Sequence, residues 1–120
     1  ARNDNPEKIA YVDIQDVFNQ HPDKIAAEED LNDLARNMQT ELEKKTEDLS
    51  EEEQQKLLEQ YQQELTEKEN EMIEQILNEI EQLVNRVADE EDVKMVLDKK
   101  NVVFGGYDLT PEVIERIKQE

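Results

Sequence analysis

The sequence lacks cysteine and tryptophan, and its 120 residues include only two Phe, three Tyr and two Gly. Without cysteine the chain can form neither a disulfide nor a thiolate metal site, and it has no thiol nucleophile. It also lacks the run of about 18 apolar residues that a membrane-spanning helix needs, so no stable membrane insertion is expected. The small number of aromatic and other apolar residues provides little material for a core. The composition therefore favours long helices that each bury one apolar stripe, rather than a compact globule.

Negative charge is abundant and unevenly placed. The formal net charge is −19, and residues 23–92 carry −17 of it, with 24 acidic and 7 basic side chains. Such a segment repels phosphate backbones and anionic lipid, so neither nucleic acid nor a membrane surface is an expected partner. The acidic surface is interpreted as a solvated helix face, as a repulsive wall to which other proteins do not adhere, or as a surface that attracts basic clients.

The N-terminal part predicts the first piece of a β body. Residues 1–7 are interpreted as a disordered lead-in, and alternation over residues 8–14 predicts a short strand. A short helix should follow and end at His21-Pro22, since proline disfavours the helical conformation of the residue before it. Residues 8–21 form this first piece, and His21 is interpreted as a helix-end or surface residue.

Residues 22–90 predict two long helices folded into an antiparallel hairpin with a turn near residues 49–50. Ser50 and Glu53 have the spacing of a capping box, which marks the start of a new helix. Folding the chain there aligns apolar positions of the two helices, for example Met38 with Tyr61 and Leu34 with Leu65.

Two further apolar sets remain on the second helix and near the turn. A second stripe needs a partner in the β body or in another subunit; it comprises Ile73, Leu77, Ile80 and Val84. Spare apolar side chains near the turn are the candidates for binding a client protein: Leu49, Leu58 and Tyr61.

Residues 91–120 predict the second piece of the β body with a C-terminal helix. Residues 93–98 and 101–104 are apolar segments on either side of a polar turn, a pattern typical of a β-hairpin. Gly105-Gly106 should end it at positive φ. Thr110 is expected to be the N-cap of the last helix, with Pro111 at its first position.

No enzyme is expected. The carboxylates lie on a solvated rod without the apolar pocket that separates the pKa values of a catalytic pair. Glycine-rich phosphate motifs and calcium-loop patterns are missing. We therefore expect no catalytic residue, no metal site and no cofactor.

The order of elements and two segments resemble the Skp/OmpH family of periplasmic chaperones. The segments are KIAYVDIQDVFNQHPDKIAAEEDL near the start and VKMVLDKKNVVFGGYDLTPEVIERI near the end. The resemblance implies an α+β fold with a small β body and a long helical coiled-coil hairpin, assembled as a homotrimer. It also implies an ATP-independent chaperone that shelters unfolded outer-membrane proteins between its hairpins.

Several expectations depend on this resemblance. The protein should lie in the periplasm, with an export signal already removed. The trimer should form through apolar residues of the body: Ile9, Tyr11, Val12, Ile14, Val96, Val102, Val103 and Phe104. Because the hairpin is acidic where the arms of an enterobacterial member are basic, no lipopolysaccharide site is carried over.

Two other functions fit parts of the pattern. A structural coiled-coil spacer or scaffold of the cell envelope would need a stiff rod and a self-associating end. A prefoldin-like chaperone also has helical hairpins, but there the strands lie between the helices in sequence, whereas here the helices lie between the strands.

Overall fold

A computed structural model describes residues 8–119, which are mostly helical and include one small sheet. The elements in chain order are strand β1 (Ile9–Val12), helices α1 (Ile14–Gln20), α2 (Pro22–Lys45) and α3 (Glu51–Glu90), strands β2 (Met95–Asp98) and β3 (Tyr107–Asp108), and helix α4 (Thr110–Gln119). Short 3₁₀ turns cover Thr46–Asp48 and Lys99–Asn101. The lead-in predicted for residues 1–7 lies outside the described residues.

The chain divides into two compact units. The first, called the body, comprises residues up to Lys24 and from Gln75 onward; the second, called the hairpin, comprises Ile25–Glu74. This division follows the charge, because the hairpin has 17 acidic and 5 basic residues, whereas described residues 8–24 and 75–119 have 13 and 8.

The sheet of the body has the strand order β2-β1-β3, and both outer strands run parallel to β1. Ile9 is paired with Met95 and Tyr11 with Leu97, while Ala10 is the partner of Tyr107. A parallel pair requires a long crossover connection. Between β1 and β2 the chain passes through α1, α2 and α3, which supply it.

The β-hairpin predicted for residues 93–104 is therefore wrong. The Asp98 carboxylate accepts a hydrogen bond from the Lys100 amide at 3.3 Å and starts a 3₁₀ turn instead of a second strand. The chain then crosses to the opposite edge of β1. Gly105 and Gly106 have φ of 82° and 95°, as expected from the sequence, and they lead into β3.

The core of the body lies between one face of the sheet and the helices. Apolar side chains from β1, α1, α3 and α4, and from the residues just after α3 and just before α4, meet there: Ala10, Val12, Val17, Ile76, Ile80, Leu83, Val84, Val87, Val93, Leu109, Val113 and Ile117 are all buried. We call the row of apolar residues along α3 the seam; it comprises Leu57, Tyr61, Leu65, Met72, Ile76, Leu83 and Val87. The seam thus continues from the hairpin into this core.

Helix starts are specified by side-chain caps. The Asp13 carboxylate accepts from the Asp16 amide at 3.1 Å and caps α1. At α3 the predicted capping box is confirmed: the Glu53 amide donates to the Ser50 hydroxyl at 3.1 Å, and the Ser50 amide donates to the Glu53 carboxylate at 3.0 Å. Hydrogen bonds to the Glu53 carboxyl, first from the Ser50 amide and then from the Ser50 side chain, lower its pKa.

Replacing Ser50 with alanine should destabilise the protein by about 1 kcal/mol, since a lost N-cap leaves helix-start amides unpaired. Urea unfolding followed by circular dichroism measures this change. Thr66→Ala is the matched control, because Thr66 lies exposed within the same helix; it should change stability by less than about 0.5 kcal/mol. Equal effects of the two substitutions would contradict the role of the cap.

Thr110 has a different role from the predicted N-cap. It is buried, and its hydroxyl accepts a hydrogen bond from the Asp13 amide at 2.8 Å, which ties α4 to the start of α1. The first α4 amide is instead held by Asp108, whose carboxylate accepts from the Thr110 amide at 3.0 Å. The backbone oxygen of Leu109 accepts from the Val113 amide at 3.2 Å, so the helix begins one residue earlier than predicted.

Candidate interaction surfaces

The sheet has one face that nothing in the described chain covers. Side chains alternate along a strand, so Ile9 and Tyr11, the neighbours of the buried Ala10 and Val12 along β1, face the opposite way. Ile9 is 45% exposed, Met95 53% and Leu97 40%, and Tyr11 between them is half-buried. Because paired strands align these residues, they form one apolar surface, which we call the sheet face.

The segment after β2 extends this apolar exposure. Val103 and Phe104 are 102% and 96% exposed, and Val102 is half-buried. Full exposure of an aromatic and a branched aliphatic side chain side by side makes this segment a candidate contact surface.

The other residues predicted for the oligomer body lie differently. Val12 is buried in the core of its own body. Ile14 and Val96 are half-buried and line a cavity of about 370 Å³, together with Leu77 and Leu97.

The second apolar stripe of α3 is divided between two environments. Ile80 and Val84 are buried in the core of the body. At these two positions the stripe therefore packs against the body of its own chain. Leu77, also in the body, is 39% exposed, and Ile73, in the hairpin, is 36% exposed.

Within the hairpin the apolar seam is only partly covered. Met38 is buried, whereas the predicted client-binding residues Leu49, Leu58 and Tyr61 are half-buried. The Tyr61 hydroxyl donates to the Glu41 carboxylate at 2.9 Å, which joins α2 to α3 in the antiparallel register expected from the sequence. This bond to Glu41 also raises the pKa of Tyr61.

The hairpin turn is closed by one glutamine. The Gln54 side-chain amide donates to the backbone oxygens of Thr46 and Leu49 at 3.0 and 3.1 Å. Thr46 begins the 3₁₀ turn after α2 and Leu49 is the C-cap of that turn, where backbone acceptors lack a partner within the helix. The connection between α2 and α3 covers residues 46–50.

A cluster of titratable groups lies at the junction of α1 and α2, inside the body. His21 is 8% exposed, its Nε2 lies 3.5 Å from the Glu79 carboxylate, and its Nδ1 accepts from the Asp23 amide at 3.1 Å. Burial raises the pKa of Glu79, and the nearby Asp23 carboxyl adds to the rise, while His21 opposes it. His21 lies at the end of α1, as expected from the sequence. It is buried, so the alternative of a surface residue is wrong.

Among the described residues, this cluster also could hold a metal ion, since ligand atoms of His21, Asp23 and Glu79 lie within 4.8 Å of one another. The hydrogen bond to Nδ1 makes that nitrogen an acceptor, which leaves the proton of a neutral imidazole on Nε2, the atom facing Glu79. A metal at Nε2 would require the opposite tautomer. The geometry thus favours a hydrogen-bonding role for His21.

Sequence reasoning missed two surface features. Ile25, at the start of the hairpin unit, is 58% exposed, and its isolation from the seam periodicity was the available signal. Tyr107 donates to the Glu112 carboxylate at 2.9 Å, which raises the pKa of Tyr107 to about 12, and Lys8 lies 4.6 Å from its ring centre. A strand as short as β3 gives too weak a pattern to identify Tyr107 beforehand.

In residues 8–119, every helix falls short of the apolar length that crossing a bilayer requires.

Comparison with known proteins identifies one family. A search of curated proteins finds no match. The family described as outer membrane protein (OmpH-like) matches residues 8–57 and 50–117, which is nearly the whole described chain and includes both the body and the hairpin. The chain therefore belongs to the OmpH-like family, as its two terminal segments predicted.

Proposed function

We propose that the protein is a periplasmic, ATP-independent holding chaperone for unfolded outer-membrane proteins, and that it acts as a homotrimer. The family supports a periplasmic chaperone of this client class. The observation that carries the proposal is the uncovered sheet face of Ile9, Met95 and Leu97. Apolar surface of this kind is stabilised when other copies cover it.

The hairpin supplies the second part of the proposal. Its seam leaves Leu49, Leu58 and Tyr61 half-buried, so each offers an unfolded chain a small apolar contact. Single contacts of this size are weak, but several hairpins in one assembly raise the effective concentration of binding sites. Weak, multiple contacts hold a client without ATP and release it again.

The acidic surface of the hairpin limits how clients are held. With 17 acidic and 5 basic residues, it repels acidic chains and attracts basic segments. We therefore expect apolar contacts and confinement, rather than electrostatic attraction, to hold an acidic client.

Salt should distinguish these contributions. For an acidic unfolded porin, affinity should stay constant or rise several-fold between about 0.1 and 1 M salt, since the screening length falls from about 10 to 3 Å. A client of matched length with a basic net charge should lose affinity over the same range. Fluorescence anisotropy of labelled clients measures both. Stronger binding of the acidic client at low salt would contradict this electrostatic picture.

A structural spacer in the cell envelope is the alternative. Light scattering of an unfolded outer-membrane protein diluted from urea separates the two functions: a chaperone suppresses aggregation at a few-fold excess of trimer, and a spacer does not. Native mass spectrometry of the same mixture should show three chains with one client. Aggregation at the uninhibited rate would favour the spacer.

A further inference from the structure

His21 stands between two helices and takes part in both of their ends. It is the C-cap of α1, and its amide donates to the Phe18 oxygen at 3.2 Å. It also precedes Pro22, the first residue of α2, and its extended backbone, with ψ of 128°, breaks the helix there. One residue therefore ends α1 and begins α2.

The imidazole satisfies the start of α2 as an N-cap side chain does. An N-cap accepts a hydrogen bond from the second or third amide of its helix, and here Nδ1 accepts from the Asp23 amide at 3.1 Å. The His21 backbone oxygen accepts from the Lys24 amide at 3.0 Å, and Pro22 has no amide proton to satisfy. All the first-turn donors of α2 up to Lys24 thus depend on His21.

This cap differs from Ser, Thr, Asp or Asn because it can be switched off by a proton. A neutral imidazole has one acceptor nitrogen, whereas an imidazolium has none. When Nδ1 takes up a proton, it can no longer accept from the Asp23 amide, and two N–H groups face each other.

The surroundings offer the imidazolium another partner. Its Nε2 faces the Glu79 carboxylate of α3 at 3.5 Å. Around it, a cavity of about 560 Å³ is lined by charged groups from each neighbouring helix: Asp23 of α2, Glu79 and Arg86 of α3, and Lys118 of α4. The two carboxylates attract the imidazolium, whereas the two cations, Arg86 and Lys118, oppose its charge.

We propose that His21 is a proton-operated cap, which holds the first turn of α2 when neutral and moves to the carboxylates of Glu79 and Asp23 when protonated. Acidification then exchanges a bond within α2 for an ion pair to α3. The first turn of α2, residues 22–24, loosens, while α1 and α3 become more firmly joined. Because α2 leads from this turn into the hairpin, the proton acts where the hairpin helix leaves the body.

The raised pKa of Glu79 sets a lower limit to this exchange. Below the pH at which that carboxyl takes up its own proton, it no longer pairs with the imidazolium. The exchange therefore requires a pH at which the imidazole is protonated while the Glu79 carboxyl is still ionised.

Nuclear magnetic resonance can test the proposal on the ¹⁵N-labelled full-length protein with EDTA present, so that protons alone are varied. The chain has one histidine, and its ring signals need no assignment by mutation. At pH 7.5 long-range ¹H–¹⁵N spectra should show the proton on Nε2. A proton on Nδ1 at that pH would overturn the proposal, since such a ring cannot accept from Asp23.

Amide exchange tests the switch itself. After correction for intrinsic exchange rates, protection of the Asp23 amide should fall about fivefold from pH 7.5 to 5.5. This is the size of effect expected when a typical N-cap hydrogen bond is lost. Protection at the Ser50–Glu53 cap of α3 should stay constant, because the hydrogen bonds of that box already hold the pKa of Glu53 below its usual value.

Two variants separate titration from packing. His21→Asn keeps a capping acceptor but cannot be protonated, so the Asp23 amide should stay protected at both pH values. His21→Ala should lose protection at both. If wild type and His21→Asn show the same pH dependence, or if His21→Ala keeps the protection at pH 7.5, the imidazole is not the cap.

Discussion

Replacing Leu97 with glutamate should convert the assembled protein into monomers. Leu97 lies on the sheet face, 40% exposed, and is paired with Tyr11 across the parallel ladder. In a trimer each copy would bring one new carboxylate into an apolar contact. Burying an unpaired charge costs several kcal/mol, so association should weaken by at least about a hundredfold. Native mass spectrometry and sedimentation velocity at micromolar concentration measure this loss.

The control for this experiment is Asn101→Glu. It adds the same charge to an exposed residue only four positions away, in the 3₁₀ turn after β2. That variant should keep the mass of the wild type. The Leu97 variant should retain its helical circular dichroism, because its side chain is not part of the buried core. A Leu97→Glu protein that stays fully assembled would show that the sheet face is not the assembly surface.

Loss of assembly should also remove chaperone activity if the proposed function is correct. A single hairpin retains its half-buried Leu49, Leu58 and Tyr61, but it loses the neighbouring hairpins that make weak contacts additive. Aggregation of the unfolded client should therefore proceed nearly as in buffer with Leu97→Glu and be suppressed with Asn101→Glu. Full suppression by a monomeric variant would mean that one hairpin suffices.

The helices were predictable because each one is specified locally. His21-Pro22 ends α1, and Ser50 with Glu53 starts α3, within one residue of the positions expected from the sequence. Such signals depend on hydrogen bonds between residues two to four apart, which a sequence displays directly. The register of the hairpin also followed, since one tight turn fixes which residues meet, and the bond of Tyr61 to Glu41 agrees with it.

The sheet was less predictable because its pairing is entirely non-local. Apolar segments at 93–98 and 101–104 are typical of a hairpin, yet β2 and β3 both pair with β1, more than 80 residues earlier in the chain. Nothing in the alternation of a four-residue strand reveals its partner. The burial of His21 was missed for the same reason, since its neighbour Glu79 comes from a distant part of α3.

Replacing Leu109 with alanine should have the largest effect on stability. Leu109 is fully buried between β3 and α4, and its amide donates to the Tyr11 oxygen at 2.9 Å. Truncating a buried leucine removes apolar contacts and leaves a cavity, which costs about 2 to 5 kcal/mol. A domain of this size is stable by only about 5 to 15 kcal/mol, so urea unfolding followed by circular dichroism should show a much lower midpoint.

Leu97→Ala is the matched control, because the same side-chain atoms are removed from the same unit at a partly exposed site. If the proposed assembly is correct, its effect should depend on protein concentration, because some of the lost contacts would be made between copies and stability would then follow the association equilibrium. On dilution, the difference in the free energy of unfolding between Leu97→Ala and wild type should shrink. Leu109→Ala should stay destabilised at every concentration. If Leu109→Ala were within about 1 kcal/mol of wild type throughout, burial of the Leu109 side chain would not be what holds the body together.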